Sequence, residues 1–465
     1  MTDPLVRAPA PPATLLVRSA HVLDPRSGVD GTFDVVIADG RIAELAPPGT
    51  AVVPEGTEVV EGAGRHLLPA FVDPHVHLRV PGQEHKEDLE TGTRAAAAGG
   101  FCAVVAMPNT DPVVDSAPVL RALRDAAERD ARVPVAFTAT ITRGLRGEEL
   151  TEMAELRAEG AIAFTDDGRP VVSAGMLRKA LQYQRLAGGL LALHDEDPAL
   201  SGRGAMHEGE VSALLGVAGI PSVSESTMVA RDCALAGYEG ARIHVQHLSC
   251  VESVHAVHAA KAAGIQVTCE VTPHHLCLTD DAVRGLDTRM KMNPPLRTES
   301  DRRALIDGLR SGIIDCVATD HAPHARDEKE VPFEQAPMGT TGLETAFAAV
   351  YTELVVPGVL DLGLVVERMT AGGEAFGLPA PQVRVGDEAN LVLVDLDAEW
   401  DVGEDGYESR SDNCCFAGRR LRGRVLLTVA AGAVAYRERA FAVVGAPPPA
   451  AGLGAEPPGG GTPWV

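Results

Sequence analysis

The stretch LLPAFVDPHVH, residues 67–77, joins a short apolar run to two histidines that lie two positions apart. A short apolar run bounded by turn residues is typical of a buried strand. Seven further runs of this kind follow, each with polar residues at or near its carboxyl end. They are FCAVVAMPN (101–109), VPVAFTAT (133–140), AIAFTDDG (161–168), LLALHDE (190–196), RIHVQHLS (242–249), IQVTCEVTPHH (265–275) and IIDCVATDH (313–321).

The segments between these runs have the composition of helices. DSAPVLRALRDAAERDA (115–131), SAGMLRKALQYQRLAG (173–188) and VESVHAVHAAKAAG (251–264) are each long enough to cross from one strand to the next. Eight strand–helix units within residues 68–385 predict an α/β protein with a TIM (β/α)8 barrel. The chain has no dinucleotide fingerprint and no GxxxxGK[ST] motif, which disfavours a doubly wound nucleotide-binding sheet.

The two ends of the chain differ from its centre. Residues 14–67 and 386–445 contain short β-rich runs separated by turn residues, so we expect them to join into one small β-rich domain. Residues 1–13 and 446–465 are rich in Pro, Ala and Gly without an apolar period, which predicts mobile tails.

Composition limits the classes of function. The 465 residues carry a net charge of −24 with no basic cluster, which disfavours binding to nucleic acid or to an anionic membrane. The sequence has no apolar run of membrane-spanning length and no signal peptide at its start, so we expect a cytoplasmic protein without a membrane span. Its eight cysteines are scattered along the chain, a pattern that fits neither a disulfide framework nor a CxxC metal site.

The polar residues at the strand ends indicate where chemistry takes place. In a barrel, the carboxyl ends of all strands meet on one face, which carries the active site. The residues placed there are His75, His77, Asn109, Asp166, Asp167, His194, His247, His274, His275, Asp320 and His321.

These side chains have the composition of a metal site. His75 and His77 lie two positions apart on a predicted strand. Because successive side chains of a strand point to opposite faces, both imidazoles point the same way. Nitrogen and oxygen donors without thiolates indicate zinc first, although other divalent metals accept the same ligands. A second metal nearby would need a bridging carboxylate, which Asp166 or Asp167 could supply. The Asp166-Asp167-Gly168 sequence also suits a simple turn.

Eight motifs taken together resemble a known family. The chain, from about residue 14 to residue 440, is similar to bacterial dihydroorotase of type I, in the amidohydrolase superfamily. The motifs are DPHVHLRVPGQEHKED (73–88), AMPNTDP (106–112), AFTDDG (163–168), HDED (194–197), HVQHLS (244–249), EVTPHHL (270–276), KMNPPLR (291–297) and DCVATDHAPH (315–324).

The resemblance implies a zinc site of one or two ions, with two preferred. It makes His75 and His77 ligands of the first zinc, with Asp320 beside the same ion, and Asp167 the bridging ligand. His194 and His247 would hold the second zinc. A one-zinc site that uses His75, His77 and Asp320 stays open, since it is chemically sufficient. His244 is expected to be a structural histidine on the other face of its strand.

The resemblance also implies the residues that contact the substrate. Arg79 independently suits a carboxylate, because its guanidinium is a planar fork of donors. Val80 and Met338 depart from the residues usual in the family. The implied contacts are His77, Arg79, Asn109, Asn293, His324, Met338 and Gly339.

The implied reaction is the reversible cyclisation of N-carbamoyl-L-aspartate to L-dihydroorotate plus water, the third step of pyrimidine synthesis. Asp320 would be the catalytic residue, because it can take a proton from the attacking water and deliver it to the ring nitrogen. The charged loop at 323–332 suits either a lid over the site or a solvated surface loop.

Three alternatives concern substrate and partners. Hydantoinases and allantoinases share the barrel, but usually carry a lysine on the fourth strand, where this chain reads AIAFTDDG. An inactive homologue that scaffolds aspartate carbamoyltransferase would lack metal ligands, and this chain keeps all six. An active chain in complex with that transferase stays open. We also expect a homo-oligomer.

Overall fold

The computed structural model of the protein describes residues 3–439 and 441. The strands of this part of the chain, in order, are β1 (Leu15–Asp24), β2 (Val29–Ala38), β3 (Arg41–Ala46), β4 (Glu58–Glu61), β5 (His66–Pro69), β6 (Phe71–Val76), β7 (Phe101–Ala106), β8 (Val135–Phe137), β9 (Leu191–Leu193), β10 (Met206–His207), β11 (Gly219–Ile220), β12 (Ile243–Val245), β13 (Val267–Val271), β14 (Cys316–Val317), β15 (Leu391–Asp401), β16 (Arg420–Ala430) and β17 (Ala433–Arg437).

The α-helices of the same residues are α1 (Leu89–Ala98), α2 (Ala117–Asp130), α3 (Met153–Ala158), α4 (Ala174–Ala187), α5 (Pro198–Ser201), α6 (Glu210–Leu215), α7 (Val223–Glu239), α8 (Val251–Ala262), α9 (Pro273–Cys277), α10 (Glu299–Ser311), α11 (Arg326–Lys329), α12 (Ala346–Val350) and α13 (Leu362–Thr370). Single 3₁₀ turns lie at Arg143–Leu145, Asp280–Gly285, Thr288–Met290, Leu343–Thr345 and Ala371–Phe376, and a π-helical turn at Tyr351–Val355.

A closed parallel barrel forms the centre of the chain. Strands β6, β7 and β8 pair in parallel, and β9, β12, β13 and β14 do the same. A parallel bridge between Val76 and His321 closes the ring between its first and last strands. The eight apolar runs of the sequence form the eight strand positions of the barrel, so the predicted barrel is confirmed.

The fourth strand position of the barrel, residues 161–168, is less regular than the sequence predicted. AIAFTDDG forms only isolated parallel bridges, from Phe164 to Ala139 on one side and to Leu191 on the other. Backbone hydrogen bonds still join it to both neighbours, with Phe164 N donating to Leu190 O at 2.8 Å. The chain turns away directly afterwards, because Asp166 accepts hydrogen bonds from the loop beside it.

A buried aspartate joins the first and eighth strands below the paired histidines. The Asp73 carboxylate accepts from Thr319 N at 3.1 Å and Thr319 Oγ1 at 2.6 Å. The same side chain accepts from His75 N at 3.1 Å. Burial raises the pKa of Asp73 to about 7. These bonds fix the register in which His75 and Asp320 arrive at the same end of the barrel.

One sheet is built from both ends of the chain. Its order is β17-β16-β15-β5-β1-β2-β3, with β4 paired to β1. The early strand β5 pairs antiparallel with the late strand β15, which confirms that the two β-rich ends join. The first part of the sheet ends at Pro69, and the barrel begins at Phe71.

The amino-terminal segment differs from the mobile tail predicted for residues 1–13. Val6 exchanges two backbone hydrogen bonds with Val135, of 3.0 and 2.8 Å, and is buried. Arg7 donates to Ala431 O at 2.9 Å. The segment has no apolar period, but it adds an antiparallel partner to β8, which the composition could not reveal. The tail predicted at 446–465 lies outside the described residues.

Within residues 3–439, no helix is both long and apolar enough to cross a bilayer.

Candidate active site

A cavity of about 310 Å³ lies at the carboxyl ends of the barrel strands. It brings together residues from six strand ends and from two later loops. Its lining residues are His77, Arg79, Asn109, Asp167, Gly168, His194, His247, Asn293, Asp320, Ala322, His324, Met338 and Gly339. His75 is fully buried beside His77, with its ring centroid 5.4 Å from that of His77.

Two carboxylates face the paired histidines. His77 Nε2 lies 3.1 Å from Asp320 Oδ1 and 3.5 Å from Asp167 Oδ2. His75 Nε2 lies 3.5 Å from Asp320 Oδ1 and 3.5 Å from Asp167 Oδ1. The buried His75 Nε2 has no hydrogen-bond partner. An unpartnered buried ring nitrogen between two carboxylates is suited to a cation.

The other two histidines meet on the far side of Asp167. His194 Nδ1 and His247 Nε2 are 2.9 Å apart, and they lie 3.6 and 3.9 Å from Asp167 Oδ1. The backbone of His247 has a φ of 30°, and that of Asp320 a φ of 46°. Positive φ is costly for such residues, and strain of this kind is concentrated at functional sites.

The adjacent aspartates at the end of the fourth barrel strand, Asp166 and Asp167, have different partners. Asp167 faces the histidines, with each of its carboxylate oxygens near a different set of rings. Asp166 instead accepts from Ile141 N at 2.8 Å and Thr142 N at 3.0 Å, and from the Thr142 hydroxyl. Asp166 therefore holds the turn, and Asp167 is the aspartate whose carboxylate faces the histidines.

The donor groups satisfy the spacing of a metal site. His75, His77 and Asp320 form one set whose ligand atoms lie within 4.8 Å of one another, and His75, Asp167 and His247 form another. All five residues are buried. Nitrogen and carboxylate donors without thiolates suit a borderline divalent cation, so the cluster has the composition and spacing of a metal site.

The electrostatics of the cluster favour charged carboxylates. Burial acts to raise the pKa of Asp167, but the neighbouring His75, His194 and His247 hold it well below its usual range. Burial has the same effect on Asp320, whose pKa is likewise held low by His75 and His77. Two ionised carboxylates in a buried space require compensating positive charge.

Arg79 and Asn109 stand at the wall of the cavity in different situations. Arg79 has a φ of 60°, and its Nε donates to Pro323 O at 3.1 Å. Burial lowers its pKa, against the opposing effect of Asp320 and Asp167. The Asn109 side chain is already engaged, with Oδ1 2.9 Å from His77 Nδ1 and Nδ2 donating to Asp167 Oδ2 at 3.0 Å. Asn109 therefore orients two cluster residues besides lining the cavity.

The remaining wall comes from the later loops. His324 Nε2 donates to Met338 O at 2.9 Å. Gly339 has a φ of 139°, and a Cβ there would lie 2.8 Å from Ala322 Cβ and 3.0 Å from His324 Nε2, so only glycine fits. Asn293 donates from Nδ2 to Glu196 Oε2 at 2.6 Å.

Four other histidines that the sequence singled out have separate roles. His321 Nε2 lies 3.2 Å from Glu87 Oε2, outside the cavity. His275 bridges Thr272 Oγ1 and Pro294 O at 2.8 and 3.0 Å. The pKa of buried His274 is lowered by burial to about 4. His244 is turned into the barrel interior, where its Nε2 lies 3.0 Å from Glu270 Oε2.

Two functional-site neighbours went unnoticed in the sequence. Glu270 Oε1 lies 2.7 Å from His75 Nδ1, and Glu196 Oε2 lies 3.3 Å from His194 Nε2. Burial would raise the pKa of Glu270, yet His75 and His244 hold it at about 2. A charged residue inside the apolar run IQVTCEV was the available signal.

Comparisons with known proteins agree with the architecture and the motifs. A family model described as dihydro-orotase-like matches residues 64–253. The dihydroorotase of Anaeromyxobacter sp. (strain K) is 48% identical and is matched over 91% of this chain and 98% of its own. That of Pelotomaculum thermopropionicum is 45% identical, over 91% and 99%. The solved L-hydantoinase of Arthrobacter aurescens superposes with a TM-score of 0.81 at 25% identity, over 91% of this chain and 96% of its own.

Proposed function

We propose, on the premise that this chain belongs to the dihydroorotase family, that the cavity at its barrel mouth interconverts N-carbamoyl-L-aspartate and L-dihydroorotate. The chain is a cyclic amide hydrolase of pyrimidine biosynthesis. The observation that carries the assignment of the site is that His75, His77, His194 and His247 meet Asp167 and Asp320 at one cavity, whose wall includes Arg79.

The proposed metal is zinc, with two ions per chain. His75, His77 and Asp320 would hold one ion, His194 and His247 the other, and Asp167 would bridge them. The unpartnered His75 Nε2 and the opposed ring nitrogens of His194 and His247 support this assignment. When bound, zinc acts as a Lewis acid and makes a nucleophile available near neutral pH.

The carboxylate shared by substrate and product is proposed to bind at the Arg79 side of the cavity. A guanidinium recognises a carboxylate through two parallel hydrogen bonds, and burial strengthens such a contact. Asn109, Asn293 and His324 would flank the ring, and the backbone at Met338 and Gly339 would cover it. The tight packing around Gly339 supports a close approach of the ring to this backbone.

Asp320 is proposed to carry the proton. In hydrolysis, water adds to the ring carbonyl carbon, Asp320 accepts a proton from it, and the C–N bond breaks as Asp320 returns that proton to the ring nitrogen. Ring closure reverses each step, with water as the leaving group. The neighbouring His75 and His77 hold the pKa of Asp320 below its usual range against burial, so its side chain is an ionised carboxylate, the form that accepts a proton.

The first experiment measures dihydroorotate hydrolysis by the purified chain, with zinc per chain determined on the same sample. We expect turnover that a chelator abolishes and zinc restores, with two ions per chain. Asp320→Asn, folded and loaded with zinc to the content of the wild type, should lose at least about 100-fold in kcat, since general acid–base catalysis contributes about 10² to 10⁴.

Dihydrouracil, which lacks the carboxylate, is the matched comparison substrate. Arg79 would bind the carboxylate, which only dihydroorotate carries. Arg79→Met should therefore reduce kcat/KM for dihydroorotate and should not reduce kcat/KM for dihydrouracil. A wild type that prefers dihydrouracil would overturn the assigned substrate. A metal-free but active wild type would overturn the metal.

The proposed function also leads to proposals about the assembly of the protein and its location in the cell. We expect a homo-oligomer in the cytoplasm, and a complex with aspartate carbamoyltransferase is the alternative to a chain that acts alone. Sedimentation of the chain with and without that transferase tests the oligomer and the complex.

A further inference from the structure

Glu270 lies inside the barrel on β13, below the cavity, and is completely buried. Its Oε1 is 2.7 Å from His75 Nδ1 and accepts from the backbone N of His247 at 3.2 Å. Its Oε2 is 3.0 Å from His244 Nε2, and His244 Nδ1 is 2.8 Å from Thr268 Oγ1. One carboxylate therefore joins the first, sixth and seventh strands at the level of the cluster.

These contacts determine which nitrogen of His75 can bind a metal. A carboxylate only accepts hydrogen bonds, so the 2.7 Å contact with Glu270 Oε1 places a proton on His75 Nδ1. The Gln246 side-chain nitrogen lies farther from the same atom, at 3.3 Å. Its Nε2, which faces Asp167 and Asp320, then presents a lone pair. A carboxylate behind a ligating histidine fixes its ring orientation and makes the ring more basic.

A structural role alone does not account for the placement of Glu270. A buried carboxylate is costly unless it is fully paired, and a hydrophobic residue would fill the same space without that cost. The two side chains that pair with Glu270 are both histidines, and one of them, His75, reaches the cluster directly.

We propose that Glu270, supported from behind by His244, is a positioning residue that orients His75 for metal binding and fixes its distance from His247. The inference rests on the proposed function, because it presumes that His75 and His247 bind metal. It adds a residue that contacts neither substrate nor metal, and that acts through His75 and the His247 backbone.

The test is the zinc affinity of Glu270→Gln, measured by competition with a chromophoric chelator. Gln has the same shape and can still accept from His75, but it lacks the charge. We expect zinc to bind about 10- to 100-fold more weakly, the usual cost of losing such a partner. Glu87→Gln is the matched control, since Glu87 is a buried carboxylate paired to His321 away from the cavity. It should bind zinc within about threefold of the wild type.

Glu270→Gln with wild-type zinc affinity would overturn the proposal, as would an equal loss in Glu87→Gln. If Glu270→Gln fails to fold, the wild type itself supplies the answer. With ¹⁵N-labelled histidine, the His75 resonances, identified by their absence in His75→Asn, must show the proton on Nδ1. A proton on Nε2 would contradict the proposal. A wild type that binds no zinc would overturn the proposed function instead, so the two failures are distinguishable.

Discussion

At the scale of single residues, direction matters more than position in the chain. Asp166 and Asp167 are neighbours of the same type, yet one is bonded to Thr142 and the other faces the histidines. The raised pKa of Asp166, about 6 through burial, shows how fully the loop encloses it. Sequence reasoning could name the pair, but only the course of the backbone decides which carboxylate faces the cavity.

These two aspartates provide a matched pair of variants. Asp167→Asn should lose at least one zinc ion per chain, because an amide is a poor bridging ligand between two cations. Asp166→Asn should keep the zinc content of the wild type, because the amide oxygen can still accept from Ile141 and Thr142. Zinc analysis and the thermal unfolding midpoint of both proteins check this. Loss of zinc from Asp166→Asn alone would reverse the assignment.

At the scale of elements, the loop after β14 is held by two buried lysines. Lys329 Nζ donates to Pro337 O at 2.8 Å and Thr288 O at 3.0 Å. Lys291 Nζ donates to Phe333 O at 2.9 Å and Glu334 O at 3.0 Å. Burial lowers the pKa of Lys329 to about 7. The sequence suggested either a lid or a solvated loop. The lysine contacts attach this loop, which includes cavity-wall residues, to the body of the protein.

Lys329→Met removes those donors while keeping most of the side-chain volume. Because the carbonyls of Thr288 and Pro337 would lose the buried donor that Lys329 supplies, we expect the loop to open more often. Limited proteolysis should cut residues 323–338 faster, and KM for dihydroorotate should rise severalfold. Zinc content should be unchanged, since no cluster residue contacts Lys329 Nζ. Unaltered proteolysis and KM would mean that the loop is held by its other contacts.

At the scale of the whole molecule, a buried carboxyl lies where the barrel meets the long loop between β15 and β16. Glu344 accepts from Glu408 N at 2.9 Å and Ser409 N at 3.1 Å. Burial raises the pKa of Glu344 to about 7, and the nearby Glu408 and Glu87 contribute. Since this pKa exceeds that of an unfolded glutamate, about 4.3, folding takes up a proton here.

The stability of the protein should therefore fall with rising pH through this group. The contribution of Glu344 is fully present below about pH 4 and is lost as the pH passes 7. Glu344→Gln cannot titrate, so the wild type should lose about 2 to 3 kcal/mol relative to it between pH 5 and pH 8. Urea unfolding of both proteins at the two pH values measures the difference. A constant difference would show that Glu344 is ionised in the folded protein.

The sequence by itself determined the fold class and the family, because both depend on local patterns. Eight apolar runs that alternate with helical segments bury both of their faces in a closed barrel, and β-rich ends need one another as sheet partners. It also supplied the candidate ligands, since polar side chains at strand ends must converge on one face.

Only the tertiary structure decided how those side chains are held. The contact of Glu270 with His75 spans 195 positions, and that of Val6 with Val135 depends on a neighbour that composition does not reveal. Hydrogen bonds depend on distances and angles finer than the spacing of residues, as the opposite directions of Asp166 and Asp167 show. The pattern of a sequence determines which residues reach a site, and packing determines which atoms face each other there.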